Sequence, residues 1–178
     1  MQRRIFYRVA VGAPEGTKCL LGALFIVLCA RITIPFDPVP FTLQTFAVLL
    51  VAAKLGAKLG AYSVLLYLAA GVCGLPVFAR CGTGIQILLS PTGGYLFGFV
   101  PAVYFIGRLL QAASQRSFLV CFLAGLVGEI ILFLCGACRL AAFVGFSRAY
   151  ALGVAPFLLA DLLKLTAFAC LARKRLNN

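Results

Sequence analysis

Six apolar runs occupy most of this chain, at residues 18–34, 41–55, 58–73, 93–112, 117–138 and 148–172, bounded by charged residues or by proline and glycine clusters. About 20 apolar residues is the length an α-helix needs to cross a bilayer core, where only helices and closed barrels satisfy their own backbone hydrogen bonds. The pattern predicts an all-α fold, a polytopic membrane protein built as a six-transmembrane-helix bundle. The second and third runs are short and separated only by Lys54-Leu55-Gly56-Ala57-Lys58-Leu59-Gly60, which predicts a tight helical hairpin. Little of the 178 residues is left over, so the expectation is a single membrane domain over 1–178 that begins with a cytoplasmic arm at 1–17. That arm carries Arg3, Arg4 and Arg8 but no apolar core followed by a small-residue cleavage site, which is not the pattern of a removable signal peptide.

Only 11% of the residues are charged, yet the net charge is +12. The basic residues stand at the ends of apolar runs instead of alternating with aromatics on a polar surface, which points to membrane topology and away from nucleic acid. With six spans, eleven of the sixteen fall on one side: Arg3, Arg4, Arg8, Lys18, Lys54, Lys58, Arg108, Arg116, Arg173, Lys174 and Arg175. Arg31, Arg80, Arg139 and Arg148 fall on the other, and Lys164 lies inside the last span. Cytoplasmic loops are enriched in Lys and Arg, so both termini are expected in the cytoplasm of a protein multiply spanning the cell (inner) membrane. The Pro-rich loop Pro35–Pro40 and the Gly-rich loop Gly74–Pro91 then lie outside.

The eight cysteines lie mostly within apolar runs, and there is no histidine to join them around zinc. They read as small core hydrophobes, with Cys73 and Cys81, or Cys135 and Cys138, placed for a bridge if their side is oxidising. No metal and no cofactor is expected. Lacking histidine, paired carboxylates and a nucleophile–base set, the chain does not read as an enzyme. It also has no G-x-x-x-x-G-K-[ST] loop, so any ATP hydrolysis falls to partner subunits.

Ionised side chains in a bilayer core are costly unless they face the bundle interior and find partners, which makes them functional candidates. Asp161 and Lys164 stand three residues apart in the last span, on one helix face. They read either as an ion pair that fixes helix packing or as a pair facing a cavity, with opposite charges for different ends of a polar ligand. Buried pairs add little stability by themselves, so a ligand supplies a reason to keep both. Glu129 has three open readings: paired with a neighbouring helix, protonated, or turned to a partner protein. Gln44 follows the stiff Pro35–Pro40 loop and serves either a helix contact or a ligand. Arg80 and Thr92 flank the Gly-rich stretch that leads into Ser90-Pro91-Thr92-Gly93-Gly94-Tyr95, where glycines admit close backbone approach. Gln44, Arg80, Thr92, Asp161 and Lys164 all map to the outer half of the bundle, and capture of a small polar molecule explains that convergence. The competing reading is a structural or assembly subunit without a transported ligand.

The segments DPVPFTLQT at 37–45, LGAYSVLLYLAAGVCGLPVFA at 59–79, SPTGGYLFGF at 90–99 and PFLLADLLK at 156–164 resemble, in order and across nearly the whole chain, those of the BioY family. Its members are the biotin-binding S components of energy-coupling-factor vitamin transporters. The resemblance implies a six-helix subunit that captures biotin from outside and delivers it inward, either alone or with a transmembrane coupling subunit and two ATPase subunits. It implies ligand-binding roles for Asp161 and Lys164 as the D-x-x-K pair and for Gln44 in T-x-Q-T, with Arg80 and Tyr67 as further carry-overs. Biotin has two ureido N–H donors, a carbonyl and a carboxylate. Asp161 suits the N–H groups, Gln44 can donate or accept, and Lys164 or Arg80 suits an oxygen of the ligand. Tyr67 and Tyr95 read either as walls around its bicyclic ring or as ordinary helix packing. The family's small-xxx-small face on helix 1, expected to meet the coupling subunit, is half present: Gly22 is followed by Ile26 and Ala23 by Val27.

Overall fold

The computed structural model describes residues 14–173. The expectations for Arg3, Arg4, Arg8, Lys174 and Arg175 lie outside the described residues. The elements run in the order α1 (Glu15–Arg31), β1 (Thr33–Ile34), β2 (Phe41–Thr42), α2 (Gln44–Val72), a 3-10 turn (Ala79–Cys81), α3 (Ile85–Leu89) and α4 (Gly93–Ala112). They continue with α5 (Phe118–Val144), α6 (Phe146–Gly153), a second 3-10 turn (Ala155–Phe157) and α7 (Leu158–Ala172). Among the described residues, four helical stretches are long and apolar enough to cross a membrane: Gln44–Val72, Gly93–Ala112, Phe118–Val144 and Phe146–Ala172. Large apolar side chains cover the outside as well as the inside, with Leu28, Leu159 and Leu163 each about two-thirds exposed or more (66%, 71% and 66%). Such a surface fits lipid as the surrounding solvent.

The stretch Gln44–Val72 is not one straight rod. Gly56 breaks it with φ 77° and ψ −171°, a conformation open to glycine and costly for other residues. The Gln44 Nε2 amide donates to the Tyr67 hydroxyl at 2.5 Å although the two residues are 23 apart in sequence. A straight helix would separate them by about 35 Å. The chain therefore doubles back at Gly56, giving two antiparallel arms, α2a (44–55) and α2b (57–72). Arg116 secures the turn from below, donating to the Ala53 carbonyl at 2.8 Å and to the Leu110 carbonyl at 3.3 Å. Both acceptors are carbonyls near helix ends, where intrahelical partners run out.

Three expected boundaries shift, and one is the end of the run 117–138, which continues as helix to Val144. The first apolar run continues past its helix because Thr33 and Ile34 leave α1 to pair with Thr42 and Phe41 in a two-stranded antiparallel ribbon. The run 148–172 is divided into α6, a 3-10 turn and α7. Pro156 sits in that turn, where its missing N–H and its ring oppose a continuous α-helix.

Small residues set the helix spacing. A Cβ on Gly98 would stand 3.0 Å from Cys135 Cβ, and one on Gly94 would enter Arg139 and the Cys135 carbonyl, so the Gly94-x-x-x-Gly98 stripe lets α5 close on α4. Gly22 lies against Ser63, with only 2.5 Å from its ideal Cβ to Ser63 Oγ, and Gly22, Ala23 and Ile26 are buried. The small-residue stripe of helix 1 is thus used within the chain, against α2b. All eight cysteines are free thiols.

Candidate functional site

At one end of the bundle the helices enclose a chamber of about 350 Å³, within the range of about 300–1,000 Å³ common for small-molecule sites. Its walls come from distant parts of the chain: the β1–β2 loop, the start of α2a, the turn around Arg80, the start of α4, the middle of α5, and α7.

Lys164 forms the polar centre. Its ammonium donates to the Thr42 carbonyl at 2.8 Å, to Thr45 Oγ1 at 3.0 Å and to Asp161 Oδ1 at 2.6 Å. An ammonium has three N–H groups, so this set saturates it. Thr45 Oγ1 also lies 3.4 Å from Asp161 Oδ1 as a donor. The cluster locks α7 to β2 and α2a, as the packing reading of the pair anticipates. It also leaves Asp161 Oδ2 without a hydrogen bond from any described residue, while Asp161 lines the chamber. Asp161 stands in the first turn of α7, where the helix dipole favours a negative charge.

Gln44 is buried (3% exposed) on the chamber wall at the start of α2a. One N–H of its amide is committed to Tyr67, which leaves a second N–H and the carbonyl oxygen. Tyr67 itself is fully buried and is not among the lining residues. It stands behind Gln44, edge-on to Phe78 at 5.5 Å, and the Phe78 ring forms part of the wall. Gly71 makes room for that ring, since a Cβ there would run into it.

Arg80 and Asp37 mark the rim. Arg80 Nη1 donates to Asp37 Oδ1 at 3.1 Å and Nη2 to the Phe36 carbonyl at 3.3 Å, joining the Pro-rich loop to the Gly-rich one. Their side chains are 44% and 86% exposed, and ion pairs in that setting are worth about 1 kcal/mol or less. Arg31, at the end of α1, holds the Gly-rich loop from the other side through Cys81 Sγ and the Pro76 carbonyl. Thr92 lines the chamber with its hydroxyl 2.9 Å from Ser90 Oγ. Phe41 stacks on Phe157 at 4.1 Å with Phe36 edge-on to both, closing an apolar side. Tyr95, also on the wall, donates to the Gly153 carbonyl at 2.7 Å and so ties α4 to the end of α6.

The structure therefore brings Gln44, Arg80, Thr92, Asp161 and Lys164 around one space and sets Tyr67 behind Gln44. Thr42 and Thr45, which supply two of the three acceptors of Lys164, were not singled out by sequence. Their signal was the spacing inside T-x-Q-T, which puts the Thr42 carbonyl and the Thr45 hydroxyl one turn apart at a helix start.

Apolar toward its surroundings, with a few polar groups gathered on the wall of a largely apolar chamber at one end, the molecule is an integral membrane protein of the solute-binding kind. The chain matches the BioY family model over residues 7–178 and belongs to the BioY family. It is 40% identical over 167 residues to the probable biotin transporter BioY of Pyrococcus horikoshii, an alignment covering 92% of this chain and 99% of that one. It is 43% identical over 156 residues to the biotin transporter BioY of Thermotoga maritima, covering 87% and 91%. Among solved structures it resembles the crystal structure of the S-component for biotin from an ECF-type ABC transporter, with a TM-score of 0.79, 25% identity, and coverage of 89% of this chain and 88% of the other.

Proposed function

We propose that this chain takes up biotin, binding it in the chamber from the outer side of the cell membrane and delivering it inward as the S component of an energy-coupling-factor transporter. The observation that carries this reading is the Lys164–Asp161–Thr45 cluster, built into the wall of a chamber of fitting size in a BioY-family fold. Asp161 Oδ2 accepts from the ureido end, and Gln44 donates its second amide N–H to the ureido carbonyl. The saturated Lys164 holds Asp161 oriented, and Arg80 exchanges its weak pairing with Asp37 for the ligand carboxylate. Phe78, Tyr95, Phe99 and Phe157 enclose the bicyclic ring.

On this reading α1, α2a, α2b, α4, α5 and α6–α7 are six spans of a single membrane domain, with the arm and both termini in the cytoplasm, supported by the excess of basic residues on that side. A transmembrane coupling subunit and two ATPase subunits supply the energy. Because Gly22 faces Ser63, the coupling subunit meets a part of the surface other than that glycine.

Titration of the purified protein with labelled biotin tests the capture step, and absence of binding by the wild type would sink the proposal. Growth of cells lacking biotin synthesis separates the modes of uptake: rescue only when a coupling module is co-expressed supports the S-component reading, and rescue by this chain alone shows a solitary transporter. Tyr67→Phe is expected to weaken biotin binding about tenfold, because it leaves the buried Gln44 amide without its acceptor, a loss of about 1–3 kcal/mol. Protease protection of a C-terminal tag in right-side-out vesicles is the expected result for topology, and cleavage there would reverse the orientation.

A further inference from the structure

Glu129 is 4% exposed, lines the chamber, and has both carboxyl oxygens buried without a hydrogen-bond partner among the described residues. A buried carboxyl without partners costs several kcal/mol, and such groups call for a specific explanation. Its level in the bundle follows from the helix contacts. A Cβ on Gly125 would enter Leu165 and approach Phe168 Cε1 to 2.9 Å, so α5 crosses α7 closely there. Further along α5, Leu140 lies against Gly153 at the end of α6, with Leu140 Cδ2 2.7 Å from the ideal Cβ of Gly153, so α5 runs antiparallel to the α6–α7 stretch. Glu129 is one turn after Gly125 on the same face, and Asp161 is one turn before Leu165. The two carboxyls therefore face the chamber at one level from adjacent helices.

Resting on the biotin reading above, we infer that Glu129 is a ligand-contacting residue that accepts one of the two ureido N–H groups, while Asp161 accepts the other. The ureido ring carries its two N–H donors on opposite flanks of one carbonyl, so a site that reads both needs two acceptors held apart. Asp161 has one open oxygen, its other being taken by Lys164 and Thr45. Gln44 has one amide N–H held by Tyr67 and a second that meets the ureido carbonyl. Glu129 has two oxygens without a partner among the described residues and accepts in either protonation state. The role of this arrangement is selectivity: a ring presenting a single N–H leaves one buried carboxyl unpaired, which is how a site rejects an analogue that lacks a donor.

Two measurements test this. Glutamate occurs only at positions 15 and 129, so carboxyl-13C glutamate labelling isolates these two groups in the infrared spectrum of the wild type. Biotin is expected to shift one labelled band. Of the two lactam analogues in which one or the other ureido N–H is replaced by CH2, one should bind without that shift. In the wild type each replacement is expected to weaken binding about tenfold or more. In Glu129→Leu, one replacement should cost less than about threefold while the other keeps its full cost, because the lost acceptor has nothing left to lose. If Glu129→Leu does not yield folded protein, the labelled wild type decides alone. Biotin bound with both labelled bands unmoved, or equal penalties for the two lactams in Glu129→Leu, overturns this role and leaves biotin capture intact. No biotin binding by the wild type overturns capture itself.

Discussion

Asp161→Asn weakens biotin binding about 10- to 100-fold in equilibrium titration, the loss expected when a charged hydrogen bond of about 1.5–3 kcal/mol is removed, while the protein stays monodisperse. The substitution keeps the shape of the side chain and removes the negative charge that meets Lys164 at 2.6 Å. Lys164 retains the Thr42 carbonyl and Thr45 Oγ1, so the fold is held, but the chamber loses its anionic acceptor. Lys164→Met is the more damaging change for stability. It leaves Asp161, 5% exposed, with only the long 3.4 Å contact to Thr45, and breaking a buried pair from one side costs about 3–5 kcal/mol. The double variant Asp161→Asn with Lys164→Met separates the two readings of the pair. It is expected to regain most of the lost stability, because it leaves no uncompensated buried charge, while binding remains as weak as in the worse single variant. Binding that returns together with stability would reduce the pair to a packing device.

Gly107→Leu is the second large effect, and it acts on the fold. The ideal Cβ of Gly107 would stand 2.6 Å from Ala57 Cα and from Gly56 C, which is backbone at the hairpin bend. Backbone cannot step aside as a flexible side chain can, and overpacking of this kind costs about 1–3 kcal/mol and sometimes more. The same bend is held by the Ala57 N–H donating to Gln111 Oε1 at 3.4 Å, one turn further along α4, so pushing α4 away loosens that contact too. Because the bend aligns α2a with α2b, the Gln44–Tyr67 hydrogen bond at the far end of the arms fails with it. The expected result is a thermal unfolding midpoint lowered by many degrees in detergent and an aggregated fraction on size exclusion. Gly16→Ala is the control: nothing lies within 4 Å of its ideal Cβ in α1, and alanine favours the helix by about 1 kcal/mol. A midpoint for Gly107→Leu equal to that of the wild type would remove the close crossing of α4 over the bend as a determinant of the fold.

Membrane character was legible because hydropathy is a one-dimensional record of the solvent each segment meets. The hairpin was legible because two glycines and two lysines interrupt an apolar run too short to turn any other way. Asp161, Lys164, Gln44 and Glu129 stood out because the cost of polar groups in lipid does not depend on knowing the fold. The α6–α7 break was missed although Pro156 marks it, because an apolar run of 25 residues also reads as one span. The role of Tyr67 was not legible as the structure has it: whether a tyrosine lies on a wall or behind a glutamine depends on helix rotation by a fraction of a turn.

The apolar runs with which the chain was first read thus determined, by themselves, the solvent, the helical class and the residues too polar to be incidental. The tertiary structure alone decided which of those residues share a space. Lys164 meets Thr42 across 122 residues of sequence and Thr45 across 119, and no local pattern encodes such a pairing. It depends on the rotation and register of each helix, which are set where glycines admit a neighbouring helix closely: Gly22 on Ser63, Gly98 on Cys135, Gly107 on Ala57 and Gly125 on Leu165. Hydropathy specifies that a helix lies in the bilayer, while close packing specifies which face it turns to its neighbours, and the chamber exists only at the second level.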